Sequence, residues 1–139
     1  MGDDLAASNV NRTYSLAATS IAIFTFTLIF LYPRYVSGEV NALLFQATLL
    51  AMGVATFSFL VAALFYYGSS LGDRIDATER AEYNRRGNRL WVVGVILISL
   101  VPSLILFTVW LLIVGAVWFT FWVLYLALVV RYYPRVQTD

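Results

Sequence analysis

The sequence predicts an all-α membrane protein: a bundle of four transmembrane helices, with a short cytoplasmic helix between the second and third spans. Three observations carry this reading. Apolar residues make up 61% of the 139 residues and charged ones only 12%, where a soluble domain has about 25% charged. Uncharged stretches long enough to cross a hydrocarbon core recur along the chain. Aromatic side chains gather at the ends of those stretches, where amphipathic rings favour the membrane–water boundary. A chain this short cannot bury so much apolar surface in its own core, so lipid is the natural solvent for the excess. Residues 1–139 read as a single integral membrane domain.

The first span is expected at about 14–33. Tyr14 to Tyr32 carries no charge, and Pro33 and Arg34 end the run. The run is too long for the apolar part of a cleaved leader, and Arg12 is its one basic flanking residue. A turn at Ser37-Gly38-Glu39 leads to the second span, at about 40–67, whose uncharged stretch is 28 residues long. About 20 residues suffice to span, so this helix should tilt or project. The segment 69–89 is polar and is expected in the cytoplasm. Its acids precede its arginines at i,i+4 spacing, Asp76 to Arg80 and Glu82 to Arg86, which is the favoured order on a helix. Gly87 is the expected stop of that short helix.

From Leu90 to Val130 no residue is charged. One straight helix of that length would run about 60 Å, twice the hydrocarbon thickness, so the chain must turn. A turn at Pro102 would leave a first arm too short to span. The expected turn is therefore near Val114–Ala116, at Gly115, with spans at about 90–113 and 116–133 and Pro102 as a kink. Trp110 and Trp118 then fall near one interface, and Tyr132 and Tyr133 near the other.

Orientation follows from the arginines. With four spans, Arg12, Arg74, Arg80, Arg85, Arg86, Arg89, Arg131 and Arg135 share one side and Arg34 stands alone on the other. The positive-inside rule puts both termini in the cytoplasm of a multi-pass cell-membrane protein. Arg85, Arg86 and Arg89 abut the third span and are expected to fix topology or meet lipid headgroups.

The chemistry is bounded by what the spans lack. There is no Cys and no His, which removes thiolates, imidazole bases and the commonest transition-metal ligands. Apart from Arg131 at the end of the fourth, no expected span contains Asp, Glu, Lys or Arg, the residues that mark proton relays and ion-coupled transport and that supply general acids and bases. An enzyme is not expected, nor a cofactor or a metal. A net charge of +1 gives no electrostatic case for nucleic acid. The expected partners are the lipid bilayer and either further copies of this chain or other membrane subunits.

Two patterns remain. Ala47, Ala51, Ala55, Ser58 and Ala62 put five small side chains on one face of the second span, a surface that lets another helix approach closely in lipid. Ser20 and Thr27 share a face of the first span with Thr13. With Gln46, the most costly uncharged side chain at membrane depth, they are the candidate polar lining of a channel or passive facilitator for a small solute. The leading expectation is a non-enzymatic membrane protein acting as a homo-oligomer or as a subunit of a larger complex.

Overall fold

A computed structural model describes residues 2–71 and 76–136, with side chains at 7–71 and 76–131. It contains four helices: α1 (Gly2–Val36), α2 (Ala42–Ser69), α3 (Ala77–Thr108) and α4 (Leu112–Val136). Each is long and apolar enough to cross a membrane. α2 and α3 form the most extensively packed pair; α1 rests mainly on α2 and α4 mainly on α3.

The central pairing is written in α2 at a spacing of alternate three and four residues. Phe45, Thr48, Met52, Ala55, Phe59, Ala62, Tyr66 and Ser69 are all buried. α3 answers with Gly87, Gly94, Val101 and Thr108, buried at a strict interval of seven. α1 presents Thr13, Ala17, Ser20, Thr27 and Leu31 at the same kind of spacing. A repeat of 3.5 residues per turn keeps one seam facing its neighbour along the whole helix, as in coiled coils. Lipid is as apolar as Leu and supplies no drive to bury these residues, so close packing and interhelical hydrogen bonds hold the seam.

Among the described residues there is no separate short helix between the second and third spans, contrary to the expectation. Asp76 caps the N-terminus of α3, its side chain accepting from the Ala77 amide at 2.8 Å, and the helix then continues unbroken to Thr108. Gly87 does not stop it. A Cβ there would meet Tyr66 Cε1 at 3.1 Å and Phe65 Cβ at 3.3 Å, so this glycine makes room for α2. The Glu82–Arg86 ion pair forms along the same helix face.

The turn expected at Val114–Ala116 lies earlier, at Val109–Leu111. Trp110 takes φ 65°. Its amide donates to the Phe107 carbonyl at 3.2 Å and that of Leu111 to the Leu106 carbonyl at 2.9 Å, the paired bonds of a Schellman cap. Gly115 is buried inside α4, where a Cβ would stand 2.8 Å from the Phe107 ring. It allows α4 to approach α3 and does not break the helix. The α1–α2 turn uses the same cap with Gly38 at φ 75°, the Glu39 amide bonding the Arg34 carbonyl and that of Gly38 the Tyr35 carbonyl. The two turns meet: the Asn41 amide donates to the Thr108 carbonyl at 3.1 Å.

Candidate functional site: the helix seams and the membrane edges

The small residues singled out in α2 are not equally covered. Ala55, Ser58 and Ala62 are buried, while Ala47 and Ala51 are half-buried. Ala55 joins Ala17 of α1 and Phe59 in the core cluster, walled by Leu16, Trp91, Val95, Leu97 and Ile98. The larger partners of this seam do not show in a pattern of small residues. They are aromatic rings seated on glycines. Phe59 lies on Gly94, where a Cβ would be only 2.6 Å from its ring; Tyr66 covers Gly87, Phe107 covers Gly115, and Tyr83 touches the position of a Gly68 Cβ at 3.5 Å. The available signal was the seven-residue interval from Gly87 to Gly94, in register with Val101 and Thr108.

Ser20 and Gln46 of the candidate polar lining have separate partners. The Ser20 hydroxyl is buried and shares a 2.8 Å hydrogen bond with Thr56 of α2. Thr27 is buried on the same face of α1. Gln46 is exposed near the start of α2 and donates to the Tyr35 hydroxyl at 3.1 Å. Thr48 and Thr108 face each other at 3.4 Å between α2 and α3, but each lies 2.7 Å from the carbonyl one turn back, so at most one of the two protons can turn across the seam at a time. These hydroxyls satisfy themselves locally and add weak cross-links between helices. Ser103 is the exception: its buried hydroxyl has no partner among the described residues.

α4 is held differently. The Trp122 indole donates to the Ile96 carbonyl at 3.0 Å, a group that also accepts from the Ser99 hydroxyl at 2.9 Å. Gly115 under the Phe107 ring is the other close contact, and most of the remaining α4 side chains are exposed.

Three helices agree on the thickness of the apolar band. Arg12 to Arg34 along α1 rises about 33 Å, and Arg89 to the end of α3 at Thr108 and the start of α4 at Leu112 to Arg131 each rise about 28 Å. That matches a hydrocarbon core of about 30 Å. At one edge the Arg12 guanidinium lies 5.0 Å from the centre of the Trp91 ring, a cation–π contact joining α1 to α3. Beyond that edge the start of α3 continues beside the end of α2, with Phe65 and Tyr83 ring centres 6.0 Å apart. Arg85, Arg86 and Arg89 lie here, all exposed. Arg74 and the side chains of Tyr132, Tyr133 and Arg135 lie outside the described residues.

On the outward side of α1 and α2 is an apolar groove of about 520 Å³, lined by Phe24, Leu49, Leu50, Gly53, Val54 and Phe57. At Gly53 a Cβ would meet nothing within 4 Å, and Phe57, one turn on, is 67% exposed.

Comparison with family models, with curated proteins and with solved structures finds no match for this chain. Its class rests on its own architecture: an all-α chain of four helices, each able by length and apolar character to cross a bilayer, as in a multi-pass membrane protein.

Proposed function

We propose that the chain is a non-enzymatic, multi-pass protein of the cell membrane, with both termini in the cytoplasm, that acts by assembling with further copies of itself. The observation that carries this is Gly53. Among the glycines of α2, α3 and α4 (53, 68, 87, 94 and 115), four have an aromatic ring against them, whereas Gly53 faces outward over an open groove. Phe57 stands exposed on the same face. A vacant notch and a free ring one turn apart make a self-complementary surface, the requirement of a symmetric pair in which each copy fills the other's notch. In lipid such packing is a main source of helix association.

The cytoplasmic placement rests on the arginine asymmetry and the two edges of the apolar band. The absence of ionisable groups in the uncharged span stretches weighs against proton-coupled or catalytic work. The channel alternative needs a polar path, and Ser20 and Gln46 already have partners on neighbouring elements.

Gentle extraction followed by native mass measurement and identification of the co-purifying chains tests the reading. A defined multimer of this chain alone supports it. A stoichiometric complex with a different chain replaces the homo-oligomer by a subunit role. A monomer with only lipid bound overturns both, and solute flux in reconstituted liposomes would move the channel to first place.

A further inference from the structure

We infer that α3 carries a binding site for the phosphate headgroup of an anionic phospholipid, formed by Arg85 and Arg89. This stands apart from the assembly reading, because it uses a different face of a different helix. The three arginines next to the third span are not equivalent. Arg86 is committed to Glu82 by an ion pair. Arg85 and Arg89 are exposed, and no carboxylate among the described residues pairs with either. They stand four residues apart on one face, where two like charges repel and weaken the helix unless an anion lies between them. Asp76 and Glu79 are six or more residues nearer the helix start, about 9 Å or more along the axis.

The position of the pair selects a lipid over free phosphate. Arg89 marks the edge of the apolar band on α3, and one turn deeper on the same face Val93 is 44% exposed. The stripe Arg85, Arg89, Val93 therefore presents cations at headgroup level and apolar surface directly beneath, the order of groups along a phospholipid. Guanidinium forks match phosphate oxygens in bidentate geometry, which an ammonium does not.

The test is native mass spectrometry of the whole protein released from nanodiscs of phosphatidylcholine mixed with phosphatidylglycerol. Wild type should retain phosphatidylglycerol adducts in preference to phosphatidylcholine. Arg85→Gln and Arg89→Gln should each weaken that preference about five-fold, while Arg86→Gln should leave it unchanged. Arg85→Lys and Arg89→Lys keep the charge and the topology signal; they should lose part of the preference, which separates headgroup recognition from a folding or insertion defect. Equal retention in Arg86→Gln and Arg89→Gln, or no preference in wild type, overturns the inference. So does stabilisation of the detergent-solubilised protein by inorganic phosphate as strong as that given by phosphatidylglycerol, since that places a free anion in the site.

Discussion

The two sides of α2 solve opposite problems. On its inward side ten residues from Phe45 to Ser69 are buried, and the Phe59 and Tyr66 rings find glycines on α3 to rest on. On its outward side Leu43, Leu50, Phe57 and Leu64 are each at least 60% exposed, and Gly53 has nothing over it. Hydropathy cannot tell the sides apart, because both are apolar. They differ in whether a ring has a glycine opposite it within the chain. In lipid, shape complementarity of this kind separates a helix–helix contact from a lipid-facing surface.

Overpacking the inward side should have the largest effect. Gly94→Leu places a branched side chain where the Phe59 ring already stands. The loss is expected at or above the upper end of about 1–3 kcal/mol for overpacked cores, read as a lowered unfolding temperature in detergent. Phe59→Leu in the same chain should recover part of it, since the two sites share one contact. Ala55→Ile, at a fully buried position, should cost about 1–3 kcal/mol without affecting membrane insertion. Leu60→Ile, at a position 37% exposed, should be nearly silent. Equal responses at 55 and 60 would erase the distinction between the two sides.

The sequence alone is enough to find four apolar helices and to recognise that Ser20 and Thr27 share a face with Thr13. It failed at the places where a residue's usual meaning was overridden by packing. Gly87 and Gly115 look like punctuation, yet each is an interior helical position vacated for a ring of a neighbouring helix. The true α3–α4 break falls on Trp110, in a left-handed conformation that favours glycine and that no propensity assigns to Trp. The polar segment before the third span read as a separate helix because charge ends where lipid begins, whereas the backbone hydrogen bonds of α3 run through that boundary.

Smaller effects separate the two turns and the two kinds of buried hydroxyl. Trp110→Gly should relieve a left-handed strain of about 1 kcal/mol and raise the unfolding temperature in detergent. Gly38→Ala, at the matching position of the α1–α2 cap, should lower it by a similar amount. The opposite signs follow from identical caps occupied by unlike residues. Ser20→Ala breaks the bond to Thr56 and should cost about 0.6 kcal/mol, the usual size of such bonds in membranes. Ser103→Ala removes a buried hydroxyl with no partner among the described residues and should be neutral or stabilising by up to about 1 kcal/mol.

The central claim is that the outward side of α2 is vacant in one chain because another copy fills it. Gly53→Ile tests it directly, since the side chain enters space that the single chain leaves open. The measurement is native mass after mild extraction, taken beside the unfolding temperature of the same sample under monomerising detergent. The predicted result is loss of the multimer with the monomer's unfolding temperature unchanged or slightly raised, and the same loss for Phe57→Ala. A multimer that survives both substitutions at wild-type mass, or a wild type that is monomeric throughout, would contradict it.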